Sequence, residues 1–176
     1  MAADKHSNPL PIDSPDRRRL PPLLRRAWYG LNQAFRRKIA RTGATPDQFT
    51  ALRTLTECDA KGITQGELTR MMSSDPNTIA SLLERMLKAG WVDRKRHERD
   101  KRAYRIKITR SGRQLYRQLR DVAVRLQAEV LTVLHEEDRE DFLEKLALVA
   151  DACREAATKV AKNDKAKARA KSKTRS

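Results

Sequence analysis

The chain has 176 residues, with 39 Lys and Arg against 23 Asp and Glu and a formal net charge of +16. That length suits one domain with a real core, and that charge points to a polyanion, with nucleic acid as the default partner and an anionic membrane surface as the alternative. No apolar run is long enough for a bilayer and the start, MAADKHSNPLPIDSPDRRR, holds no signal-peptide core, so a cytoplasmic protein with no membrane partner is expected.

Residues 1–22 carry Pro9, Pro11, Pro15, Pro21 and Pro22 and no apolar period, which predicts a disordered arm. From residue 23 to 41, Leu24, Trp28, Leu31, Phe35 and Ile39 form one narrow stripe among arginines, and Gly43 ends the helix. That stripe needs a partner, either the next helix or another subunit. Thr45 caps the next helix with Pro46 at its first position, Phe49, Leu52 and Leu55 make its buried side, and it runs to about Asp59. Ile63 is expected to add one β-bridge to a later ribbon.

Thr64 and Glu67 have the spacing of a capping box. A short helix follows with Leu68, Met71 and Met72 on its apolar side, and Ser73-Ser74 makes a turn. Asp75 caps a second helix, Pro76 occupies its first turn, and Gly90 ends it as a left-handed cap. Ile79, Leu82, Leu83, Met86 and Leu87 make one stripe, while Asn77, Ser81, Glu84 and Lys88 lie opposite. The outer face near the helix start is small and neutral-polar, the chemistry that lets a helix enter a major groove and meet base edges. By itself this helix could equally be an ordinary amphipathic surface helix. The ribbon after it shifts the balance. Trp91-Val92 opens it, and Tyr104, Ile106 and Ile108 alternate with Arg105 and Lys107 on the return strand. DRKRHERDKR lies between, as in a wing that rides a phosphate backbone or slips an Arg into a minor groove.

A long helix then carries Leu115, Leu119, Val122, Leu126, Val130 and Val133, with a break at His135–Asp138. A last helix carries Phe142, Leu143, Leu146, Val149, Ala150 and Cys153. Residues 159–176 hold eight Lys and Arg against one Asp and almost no apolar content, which predicts a disordered basic tail suited to non-specific phosphate contact or to solubility. Cys58 and Cys153 have no metal-site spacing and read as small hydrophobes. His6, His97 and His135 are scattered, and the chain has neither a glycine-rich phosphate loop nor a nucleophile elbow. Neither an enzyme nor a cofactor or metal site is expected.

The stretches ITQGELTRMM, IASLLERMLKAGWVDR and RDKRAYRIKITRSG, with the element order around them, resemble the MarR family of bacterial winged helix-turn-helix regulators. The resemblance covers about residues 25–155 and is most specific from Thr64 to Gly112. It implies a mainly α fold, an α+β winged helix with a reading head at 64–109 and N- and C-terminal helices (23–41 and 112–158) forming a dimerisation platform, within a domain of residues 23–158. It also implies a homodimer on double-stranded DNA at a near-palindromic operator, acting as a repressor relieved by a small aromatic or phenolic effector. Asn77, Thr78, Ser81 and Arg85 would read the major groove. Carried over by position, Asp100 and Arg102 tie the wing in place, and Arg99 or Lys101 contacts the minor groove. The wing opens with His97-Glu98 where the family commonly has Asp-Pro. Trp28, Asn32, Phe49 and Tyr116 are the candidates for an effector crevice, with plain core as the competing reading of the three aromatic residues. Peroxide-sensing members carry a cysteine in the first helix, and this chain has none there. The alternative function is a nucleoid-associated architectural protein with little sequence preference.

Overall fold

The computed structural model describes residues 14, 18–58, 60–96 and 104–173, with side chains as far as residue 160. Most of the expected arm therefore lies outside the described residues, as does the wing segment 97–103.

Helix α1 spans Leu20–Ile39 and tightens into a 3-10 turn at Ala40–Thr42. Pro21 and Pro22, expected in the arm, sit in its first turn, where the N–H groups have no intrahelical partner to lose. Helix α2 spans Pro46–Glu57 behind a reciprocal cap. The Gln48 N–H donates to the Thr45 hydroxyl at 3.3 Å, and the Thr45 N–H donates to Gln48 Oε1 at 2.9 Å. Gln48 is buried, and that bond gives its amide oxygen a partner.

Strand β1 is only Ile63–Thr64, followed by helices α3 (Gln65–Met71) and α4 (Pro76–Lys88) and strands β2 (Val92–Arg96) and β3 (Tyr104–Ile108). The sheet is antiparallel, in the order β1-β3-β2, and Ile63, expected to bridge to the ribbon, pairs with Ile106. Val92 faces Ile108 and Arg96 faces Tyr104, so one ribbon face passes from buried at its base to exposed toward its tip. Tyr104, expected on the half-buried face with Ile106, lies on it past the edge of the core and is 41% exposed. The Arg94 guanidinium stacks over its ring at 5.2 Å from the centroid. Met71 also departs from expectation. It is the last residue of α3 and is 55% exposed, its sulfur 3.8 Å from the Cys58 sulfur instead of in the core.

The core is one cluster that joins Phe35 and Ile39 of α1, Leu52 and Leu55 of α2, Leu68, the four buried residues of α4, and Ile106 and Ile108 of β3. Helix α5, Arg110–Leu131, adds Leu115, Leu119 and Leu126. Each α4 stripe residue Ile79, Leu82, Leu83 and Met86 is at most 2% exposed, and each contributes roughly 1.5–3 kcal/mol by burial. Leu87, at the stripe's edge, is half-buried.

The chain falls into two compact units, Met1–Leu126 and Gln127–Ser176. In the second, α5 ends at Leu131, so Val133 is outside the helix that was expected to include it and is exposed. Arg139 donates back to the Leu131 and Leu134 carbonyls at 3.1 and 3.3 Å, satisfying acceptors that the helix end leaves open. Helix α6 runs from Asp138 to Lys173, past Lys159, where order was expected to end. Its Ala- and Lys-rich sequence has high helix propensity, so a helix already nucleated upstream has little reason to stop there.

The Thr64–Glu67 cap makes a pH prediction. The Glu67 carboxylate accepts from the Thr64 N–H at 2.7 Å and from the Thr64 hydroxyl at 2.8 Å, and these bonds hold its pKa below the ordinary value. The folded state then binds that proton less tightly than the unfolded chain. The stabilisation is complete above the unfolded pKa, ~4.3, and is lost as pH falls through the folded value. Wild type should therefore melt above Glu67→Gln at about pH 6, and the gap should narrow toward about pH 3. A gap independent of pH would rule out this role of the carboxylate.

Candidate nucleic-acid interface

Helix α4 owes its start to Asp75, whose carboxylate accepts from the Asn77 and Thr78 N–H groups at 3.0 and 2.9 Å. Hydrogen bonds from Thr78, and then from the Asn77 N–H, hold the Asp75 pKa below the usual carboxylate value, so the cap is charged at neutral pH. The turn before it is made by Ser73, in the left-handed region at φ 49°, and the Gln65 side chain donates to the Pro76 carbonyl at 3.4 Å. These contacts fix the start of α4 against the start of α3. Asn77, Thr78, Ser81 and Arg85 are all exposed. Asn77 and Ser81 are centred on the face opposite the buried stripe, with Thr78 and Arg85 on its flank toward that stripe. Glu84 and Lys88 share the outward face and pair with each other at 3.0 Å. Glu84 was not among the residues expected to read bases, although a Glu there can accept from the cytosine amino group.

Beside α4 the ribbon carries a row of cations. Arg94, Lys95 and Arg96 on β2 are exposed, and Arg105 and Lys107 on β3 are half-buried. Asp93 stands opposite Lys107, a favourable pair, whereas Lys95 stands opposite Arg105. Like charges directly opposite each other destabilise a ribbon. Arg105 directs its guanidinium to the Gly62 carbonyl at 2.9 Å, which ties β3 to the segment before β1. The β2 cations were missed as individual site residues because only the strand register assigns each one a face. Arg99, Asp100, Lys101 and Arg102 lie outside the described residues, and so do His97 and Glu98.

The reading helix and ribbon meet α5 in a tight junction. Gly90, at φ 70°, ends α4, and the Trp91 N–H returns to the Met86 carbonyl at 3.0 Å. The Gly90 carbonyl accepts from both the Thr109 and Ser111 hydroxyls at 2.7 Å. The Thr109 hydroxyl also caps α5 by accepting from the Gly112 N–H at 3.0 Å. The Thr109 N–H donates to the Trp91 carbonyl at 3.1 Å. One short stretch thus joins the end of α4, the base of the ribbon and the start of α5. The sequence shows Thr109 and Ser111, but not that they reach back to Gly90.

Of the four effector-crevice candidates, Phe49 and Tyr116 come together, with ring centroids 5.9 Å apart and an 18° interplanar angle, and Phe35 lies 5.0 Å from Phe49. Trp28 is 64% exposed, and Asn32 donates to the Trp28 carbonyl at 3.0 Å. Phe49 and Tyr116 pack against the core, as the competing reading has it, and Trp28 does not. Cys58 is half-buried, and burial, with Glu57 and Glu67 nearby, pushes its thiol pKa up. Cys153 is exposed rather than packed as a hydrophobe.

Residues 44–104 match the model of the MarR family. The HTH-type transcriptional regulator BilQ of Clostridium symbiosum (strain WAL-14163) is 29% identical over 81 residues, which are 46% of this chain and 56% of that protein. The chain thus spans little more than half the length of this relative. An S. aureus MepR–DNA complex superposes with a TM-score of 0.70 at 20% identity, over 77% of this chain and 99% of that one. The transcriptional repressor CouR, bound to a 23-mer DNA duplex, superposes with a TM-score of 0.67 at 25% identity, over 73% of this chain and 89% of the other. The matched segment contains the capped pair α3 and α4 and the first ribbon strand, and the likeness of fold extends well beyond it. Over residues 44–104 the chain thus matches the MarR family model, and its fold is shared with winged helix-turn-helix regulators whose structures include DNA complexes.

Proposed function

We propose that this protein is a sequence-specific, DNA-binding transcriptional regulator that acts as a homodimer on a near-palindromic operator. The observation that carries the reading is the outward face of α4. It is anchored by Asp75, exposes Asn77 and Ser81 without bulk, and stands beside a ribbon whose described cations run from Arg94 to Lys107. Asn77, Ser81, Arg85 and Thr78 read base edges, while the ribbon holds phosphates. An anionic backbone would also relieve the opposition of Lys95 and Arg105. Arg99 or Lys101 serves the minor groove, and Asp100 and Arg102 shape the wing. The dimer is supported by apolar surface that one chain leaves open. Trp28, Tyr29 and Leu31 are exposed in the first unit, and Phe142, Leu146 and Leu148 in the second. Such surface is ordinarily covered by a partner. Residues 23–41 and 112–158 are its platform, and residues 159–176 add non-specific phosphate contact. Release by a small aromatic effector, in a crevice that includes Trp28, Asn32, Phe49 and Tyr116, completes the repressor reading.

The test is selection of bound sequences from a random DNA pool, followed by titration of the selected site and of random duplex at physiological salt. The expected ratio of affinities is on the order of 10³ or more, with two chains per site. The net charge of +16 favours a second reading, an architectural protein that coats DNA. A ratio near one with a steep salt dependence would establish that reading instead.

A further inference from the structure

A pocket of about 140 Å³ lies where the end of α2, the segment before β1, strand β3 and the start of α5 meet. Leu55, Ala60 and Ile108 supply apolar lining, Thr56 a hydroxyl, and Lys107 and Arg113 two cations. Among the described residues, no acidic side chain lines it. None of the ion pairs among those residues engages Lys107 or Arg113. Cys58 also borders the pocket, but its thiol pKa is raised and its S–H is directed to Met71, so it contributes a neutral wall.

The size excludes a drug-sized molecule, which needs about 300 Å³ or more. Two cations, with no acidic side chain among the described lining residues and Asp93 opposite Lys107 outside that lining, select an anion, and the aliphatic side chains of that lining select a short hydrocarbon body. We propose that this pocket binds a short-chain aliphatic carboxylate, with Lys107 and Arg113 pairing its charge and Leu55 and Ile108 covering its chain. This is a different place from the aromatic cluster of Phe49 and Tyr116, and it asks for a different ligand. Lys107 and Ile108 belong to β3, which leads into the wing, and the Gly62 carbonyl at the pocket holds Arg105 of the same strand. Arg113 belongs to the first turn of α5, beside the Gly90 junction. An occupant therefore bears on the ribbon and on α5 together. The consequence for operator binding rests on the regulator reading. The binding itself does not.

The experiment is a titration of the full-length, isotope-labelled protein, free of DNA, with butyrate, butyramide and inorganic phosphate, followed by amide NMR. Butyrate should move the signals of Gly62, Lys107 and Ile108. Butyramide, which lacks the charge, and phosphate, which lacks the hydrocarbon, should each bind at least about tenfold more weakly. Lys107→Gln and Arg113→Gln should each weaken butyrate by about tenfold with the rest of the spectrum unchanged, whereas Trp28→Ala should not. Unmoved signals, equal binding of butyramide, or full binding by Arg113→Gln would overturn the site. Phosphate binding as well as butyrate would show a pocket that reads charge alone and would overturn the carboxylate assignment. Butyrate added to the operator titration reads the consequence separately. Unchanged operator affinity would remove the regulatory link and leave the binding result standing.

Discussion

Gly112→Ala should destabilise the protein by about 3 kcal/mol, lowering its melting temperature by about 10 °C. A Cβ at this position would lie 2.1 Å from the Trp91 carbonyl oxygen and 2.9 Å from Cγ1 of Ile108. The methyl cannot be absorbed by a flexible side chain, because the nearer atom is backbone. That carbonyl is also held in place, since it accepts from the Thr109 N–H at 3.1 Å. Relief requires α5 to move off the ribbon, which breaks the cap that the Gly112 N–H makes to Thr109 and loosens both hydroxyls from Gly90. Gly66→Ala is the control. It lies in the first turn of α3 with nothing within 4 Å of the added atom, so helix propensity alone should leave stability unchanged or raise it by up to about 1 kcal/mol. Thermal unfolding followed by far-UV circular dichroism measures both. Equal effects of the two substitutions would mean that α5 does not seat against Trp91 as described.

This junction also shows where the sequence was legible and where it was not. Local signals carried far. The Thr64–Glu67 and Asp75 caps, the proline-led starts of α2 and α4, the Gly90 stop and the Ile63 bridge each depend on residues close in sequence or on one alternating strand, and each is found where the sequence places it. Contacts between distant segments were not legible. No spacing rule says that Thr109 and Ser111 answer Gly90 some twenty residues earlier, or that Gly112 must be bare because Trp91 lies beneath it. Burial was legible only as a face. Tyr104 shares its face with Ile106, yet the core ends before reaching it, and Met71 closes α3 against Cys58 rather than inside. The α1 stripe divides in the same way. Phe35 and Ile39 are buried in the chain's own core, while Trp28 and Leu31 on the same stripe remain exposed in one chain. A 3.6-residue period identifies the apolar face but cannot distinguish burial within a subunit from burial against a partner. The α6 extension to Lys173 was missed for a different reason. Low apolar content predicts that a segment cannot pack, which is not a prediction that it cannot be helical.

The other large effect concerns the division of labour between α4 and the ribbon, for which substitutions on the two should fail in different ways. Asn77→Ala and Ser81→Ala remove donors and acceptors from the centre of the outward face without touching the Asp75 cap, which uses only the Asn77 and Thr78 N–H groups and Thr78. Each should cost ~1–3 kcal/mol at the operator, almost nothing on random duplex, and should relax the preference at one base position in each half-site. Arg94→Ala and Arg96→Ala should weaken operator and random duplex alike and lower the salt slope by about one for each phosphate no longer neutralised. Arg94 carries an added term, because its guanidinium stacks on Tyr104 and its removal frees the ring at the exposed end of the ribbon. Tyr104→Leu therefore separates the two roles of Arg94. If the stack holds the ribbon for DNA, this substitution should reproduce part of the Arg94→Ala effect with the salt slope intact. If the Asn77 and Ser81 substitutions instead weakened both DNAs equally, α4 would be a phosphate-binding surface, and sequence would have to be read elsewhere in the chain.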